Sequence, residues 1–265
     1  MTQPNGWKAL NAGREAELVL AVDFATTGRS DSSFSDLAAL LPPELTVWET
    51  RQPPTATGMS AQDYLALWTG GVADSGRPVR AVLGYCAGSV FAGELAARLA
   101  ARQTQAPHLV IFDPEVPSRS GLHRDFAAMM DQFASVLSPD EVAAAQREAA
   151  AAQAAAPDFA AYGDELVRIF TERAGAAFAR EELDTELLDE FAAVFRSFVS
   201  YLNAARQIDP APAWRTATAV SSREPTEGAA LAGRSVEIPV DHAEILRSRR
   251  VAEAVNEIIG VYASS

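Results

Sequence analysis

Residues 84–88 read Gly84-Tyr85-Cys86-Ala87-Gly88, and they stand between two segments of different periodicity. Residues 79–83, Val-Arg-Ala-Val-Leu, form a short apolar run with β-branched members, which predicts a buried strand. Residues 88–101 carry a helical pattern. A strand that turns into a helix within five residues puts its middle residue on a strained bend and needs small neighbours two positions to either side. Gly84 and Gly88 meet that need. The residue on the bend is Cys86, the one cysteine in the chain. A helix N-terminus behind a thiol favours the thiolate, and the backbone N–H of Ala87 faces the place where an oxyanion would develop.

The rest of the chain repeats the same strand–helix alternation. Residues 17–23 and 45–49 read as strands, and residues 34–41 read as a helix stopped by Pro42 and Pro43. Ser60 begins a helix to about residue 73, and residues 108–112 form the next strand. Alternation of this kind predicts an α/β fold with a mostly parallel central sheet and helices on both faces.

From 123 to 208 the strand pattern disappears. An Ala-rich helix ends before Pro157. Leu187, Leu188, Phe191, Val194, Phe195, Phe198 and Leu202 make one wide apolar stripe at helical spacing. Residues 215–220 and 235–240 resume as strands, and Ser248 can cap a last helix through Val261. The expected organisation is a core of residues 1–122 and 209–265 with a helical lid, 123–208, inserted over the active-site end of the sheet.

The chain has 265 residues, with 22 basic against 35 acidic side chains and a net charge of −13. That charge argues against nucleic acid as a partner, because phosphates would be repelled. One Cys and three His exclude an internal disulfide and a Cys-rich zinc site, and no metal or resident cofactor is expected. A cytoplasmic location follows as the expectation. No apolar run approaches the about 20 residues of a membrane span, and the N-terminus lacks the apolar core of a signal peptide.

A Cys nucleophile needs a base, and the base needs an orienting acid. His242 follows a predicted strand and precedes the last helix, which makes it the candidate base. His108 opens a strand, and His123 sits where the helical insertion begins. Asp113 ends the strand beside the Cys86 turn and is the favoured acid. Glu224, after a later strand, is the alternative. Asp241 adjoins His242 and would point away from it. The second oxyanion donor is expected in the loop after the first strand, at Ala25 or Thr26. Tyr85 and Thr26 are read as substrate contacts.

These segments resemble the thioesterases of polyketide and nonribosomal-peptide assembly lines over nearly the full length. Residues 84–89 resemble their G-x-S-x-G stretch. Residues 109–117 resemble their strand ending in the catalytic Asp, and residues 220–225 and 236–242 resemble their last two strands. The resemblance implies the α/β-hydrolase fold with a helical lid and a Cys86–His242–Asp113 triad. It also implies an acyl substrate carried as a thioester on the phosphopantetheine of a carrier protein, so a carrier protein is the expected partner.

The chain departs from that pattern in carrying Cys for Ser and in its long insertion. Transfer from a carrier thiol to Cys exchanges one thioester for another, so hydrolysis, cyclisation and transfer between carrier proteins all stay open. Dienelactone hydrolases also carry Gly-Tyr-Cys, but they lack a lid and hold their His much nearer the Cys. A carrier-binding module without turnover is the reading from outside enzymology. Arg247, Arg249 and Arg250 are candidate carrier contacts.

Overall fold

A computed structural model describes residues 5–24, 31–53 and 57–261. Its strands are β1 (Trp7–Ala12), β2 (Leu18–Val22), β3 (Thr46–Thr50), β4 (Val79–Tyr85), β5 (His108–Phe112), β6 (Thr218–Ser221) and β7 (Arg234–Glu237). Its α-helices are α1 (Phe34–Leu40), α2 (Ala61–Ser75), α3 (Gly88–Ala100), α4 (Arg119–Gln132), α5 (Pro139–Ala155), α6 (Phe159–Arg180), α7 (Thr185–Ala205), α8 (Ala211–Trp214) and α9 (Arg249–Ile258).

The strands form one sheet in the order β1-β3-β2-β4-β5-β6-β7. Every pair is parallel except β1 with β3, which is antiparallel. β2, β4 and β5 are almost wholly buried and read as continuous apolar runs, as strands covered on both faces must. On one face Val19, Ala21, Leu83, Tyr85, Val110 and Phe112 pack with Phe34 and Leu37 of α1 and with Val251 and Val255 of α9. The opposite face carries α3, whose start is pinned where the Trp214 indole N–H donates to Ser89 O at 3.0 Å.

Four differences from the sequence reading have local causes. β1 carries no strand signal in the sequence, because only Trp7 in it is fully buried and an edge strand of this kind shows no clean alternation. Residues 215–217 form a turn after α8 rather than the start of a strand, with Ala217 N–H donating to Trp214 O at 2.9 Å. β7 stops at Glu237, and Val240 N–H bonds instead to Ile238 O at 2.8 Å. Ser248 precedes α9, which ends at Ile258, but its side chain makes no cap hydrogen bond. Ser60 does cap α2, accepting from Asp63 N–H at 3.2 Å.

The chain divides into two compact units. The first holds the sheet with its flanking helices; the second is Pro117–Asn203 with the described end of the loop before Met59. Within the second unit, Phe133 packs against Phe170 and Phe191 with ring centroids 5.3 and 5.1 Å away. The apolar stripe of α7 is divided: Leu188, Phe195 and Leu202 are buried, whereas Leu187, Phe191 and Val194 are exposed. A stripe that wide exceeds what one packing face covers. Among the described residues no helix is long and apolar enough to cross a membrane.

Candidate active site

The carboxyl ends of β4 and β5 lie side by side, with Tyr85 opposite Phe112 in the register. Each strand is followed directly by a residue with left-handed backbone: Cys86 has φ 48° and Asp113 has φ 40°. Such φ values are uncommon outside glycine and mark stored strain. Both bends are held from neighbouring strands. Cys86 N–H donates to Phe112 O at 3.0 Å, and Asp113 N–H donates to Val220 O at 3.1 Å. Cys86 O in turn accepts from Ser89 N–H and Glu115 N–H.

The two glycines of the turn are there because other atoms occupy the space. A Cβ on Gly84 would sit 2.6 Å from Ser89 Cα, and one on Gly88 would collide with Val22 O. Ala87 immediately precedes α3, so its N–H belongs to the end that a helix leaves unpaired.

Asp113 is fully buried and both its oxygens are used. Oδ1 accepts from Ser222 N–H at 2.8 Å, and Oδ2 lies 2.7 Å from His242 Nδ1. A carboxylate only accepts, so the proton of the second bond sits on Nδ1 and Nε2 carries the lone pair. His242 opens a short 3₁₀ turn, His242–Arg247. Ser32 ties that turn down: its N–H donates to Ala243 O at 2.7 Å, and its hydroxyl accepts from Leu246 N–H at 2.9 Å. Burial pulls the imidazole pKa down, but the hydrogen bond and charge of Asp113, joined by Asp31 and Glu115, outweigh it and raise the value.

The other candidates fall elsewhere. Glu224 is exposed, and the acid on Nδ1 is Asp113. Asp241 pairs with Arg223 at 2.9 Å. His108 is exposed, and His123 Nδ1 lies 2.9 Å from the Tyr162 hydroxyl within the helical unit. Arg247 pairs with Glu244 at 2.8 Å, while Arg249 and Arg250 are exposed. Ala25 and Thr26 lie outside the described residues. Tyr85, read from the sequence as a substrate contact, is 2% exposed, with its hydroxyl 2.8 Å from His242 Nε2.

No protein-family model matches the sequence, and no curated protein does. Solved structures do match. The Vlm2 thioesterase domain bound with a dodecadepsipeptide is 17% identical, with 97% of this chain and 99% of that one covered and a TM-score of 0.56. The NocB thioesterase domain, in covalent complex with a fluorophosphonate nocardicin G analogue, is 18% identical over 96% and 99%, with a TM-score of 0.56. An enol-lactonase from Burkholderia xenovorans LB400 is 15% identical over 96% and 95%, with a TM-score of 0.52. This chain has the α/β-hydrolase fold.

Within that α/β-hydrolase frame, three supports had no signal in the sequence: the Ser222 N–H on Asp113, the Ser32 contacts under His242, and the Tyr85 hydroxyl on Nε2. Each joins segments far apart in the chain. The Cys86 turn, by contrast, is local and was readable from five residues.

Proposed function

We propose that this chain is an acyl-transfer enzyme. It takes an acyl or aminoacyl group from the phosphopantetheine thioester of a carrier protein onto Cys86 and releases it by hydrolysis or cyclisation. The observation that carries the reading is the buried Asp113 carboxylate 2.7 Å from His242 Nδ1, in the same unit as a strained Cys86 at the head of α3. A buried acid, an imidazole and a thiol in those places supply orienter, base and nucleophile. Two neighbours in the fold are thioesterase domains, one bound with a dodecadepsipeptide, and this supports an acyl or peptidyl substrate.

In this mechanism Asp113 fixes the Nδ1–H tautomer, and Nε2 takes the thiol proton. The thiolate adds to the acyl carbonyl. Ala87 N–H donates to the oxyanion, with the second donor proposed at Ala25. The C–S bond to phosphopantetheine then breaks, and the imidazolium returns its proton to the departing thiolate. The incoming acceptor gives its proton to Nε2, attacks the acyl-Cys86 thioester and frees the Cys86 thiolate.

One specific feature favours a second reading, transfer between carrier proteins. The nucleophile is a thiol, so the acyl-enzyme keeps thioester activation and a carrier thiol can take the group without an uphill step.

Intact-protein mass spectrometry with an acylated carrier tests the proposal. The expected result is an acyl adduct on the wild type that Cys86→Ala abolishes. No adduct, or one undiminished in Cys86→Ala, would overturn it. Adding a second, unloaded carrier separates the acceptors: free acid, cyclised product or a newly acylated carrier. A small lactone turned over in preference to carrier thioesters would favour a dienelactone-hydrolase-like role instead.

A further inference from the structure

We propose that Tyr85 is a positioning residue for the base, its hydroxyl holding the His242 imidazole in both of its protonation states. The inference rests on reading Cys86, His242 and Asp113 as nucleophile, base and orienting acid.

Tyr85 ends β4, one residue before the nucleophile, and its ring is buried in the sheet core. The ring lies nearly parallel to the imidazole, with centroids 5.1 Å apart and planes inclined by 20°. The hydroxyl reaches two acceptors on the same residue, His242 Nε2 at 2.8 Å and His242 O at 3.5 Å. With Nδ1 committed to Asp113, Nε2 is the basic nitrogen. In the resting enzyme the phenol O–H donates to its lone pair, and Nε2 can take the thiol proton only once that O–H has turned to the carbonyl of His242. When it takes a proton, the phenol oxygen accepts from Nε2–H and the O–H turns to the carbonyl of His242. That change needs only rotation about the Cζ–Oη bond. The ring keeps its place, and the charged bond is the stronger of the two. Tyr85 therefore favours the imidazolium, in the same direction as Asp113. A substrate contact at this position would need accessible surface, and Tyr85 has almost none.

Tyr85→Phe keeps the packing and removes only the hydroxyl. The groups acting on His242 besides Tyr85 are Asp113, Asp31 and Glu115, all unchanged in the variant. The expected result is a lower titration midpoint for His242, read by imidazole NMR in a Cys86→Ala background. The rate of Cys86 acylation above the acid limb, where the base is neutral in both proteins, should fall about tenfold through poorer positioning of the imidazole, with little change in KM for the acylated carrier. A rise in KM with an unmoved midpoint would overturn the proposal in favour of substrate contact, and no change in either would overturn it outright. Should Tyr85→Phe fail to fold, 3-fluorotyrosine at position 85 gives a weaker acceptor and a stronger donor. It must also lower the His242 midpoint. His242→Gln separates the two levels: if acylation survives it, the triad reading fails. If His242→Gln abolishes acylation while Tyr85→Phe changes nothing, only the role of Tyr85 fails.

Discussion

Asp113 Oδ2 lies 2.7 Å from His242 Nδ1 across 129 residues of chain, and the second oxygen of the same carboxylate is held by Ser222 N–H. The acid is thus fixed on both sides before it orients the imidazole. Replacing it with Asn preserves the shape but lets the amide N–H face Nδ1, which favours the wrong tautomer. Asp113→Asn is expected to lower the acylation rate about 10³- to 10⁴-fold, as loss of a buried orienting carboxylate does elsewhere. Glu224→Gln should change it less than about twofold, since a surface carboxylate away from Nδ1 is screened. Single-turnover acylation of both variants checks the pair.

The raised pKa of His242 gives a stability signature. A histidine whose folded value lies above its unfolded value of about 6.5 favours the folded chain when protonated. That contribution is complete below about pH 6.5 and disappears as pH rises through the folded value. The stability difference between wild type and His242→Gln should therefore narrow as pH rises from about 6.5 through the folded value, read by urea denaturation. The acid limb of acylation should have its midpoint above about 6.5, because the base must be neutral to accept the thiol proton. A midpoint at or below that value would contradict the assignment of the limb to His242.

The choice of thiol can be tested directly. Cys86→Ser makes the acyl-enzyme an ester, from which transfer to a carrier thiol runs uphill. Transfer to a second carrier should fall more steeply in Cys86→Ser than release of free acid. Equal losses in both would show that the thiol serves reactivity alone.

Gly88 is required by packing rather than by chemistry. A Cβ there meets the carbonyl of Val22, which belongs to the neighbouring strand and cannot move far. Gly88→Ala is expected to cost about 1–3 kcal/mol of stability. It should also slow acylation by shifting α3 and the Ala87 N–H. Thermal melting beside single-turnover rates measures both effects. Gly70→Ala, with open space around the new methyl group, serves as the control that melts no lower.

The sequence alone determined the parts of this protein whose causes are local. Buried strands such as β2, β4 and β5 are apolar runs of a few residues. The Cys86 turn needs only two glycines and the strand and helix beside them, and helix starts such as Ser60 need one hydroxyl three residues ahead of its donor. Tertiary structure decided what depends on sheet order. It set the antiparallel edge of β1, put the Asp113 carboxylate on His242 Nδ1 and left Glu224 exposed, and brought Ser222 and Ser32 in as supports. It also turned the Tyr85 hydroxyl onto Nε2. The Ser222, Ser32 and Tyr85 contacts join residues that are neighbours only once the whole sheet is assembled, and no short-range pattern encodes a partner more than a hundred residues away.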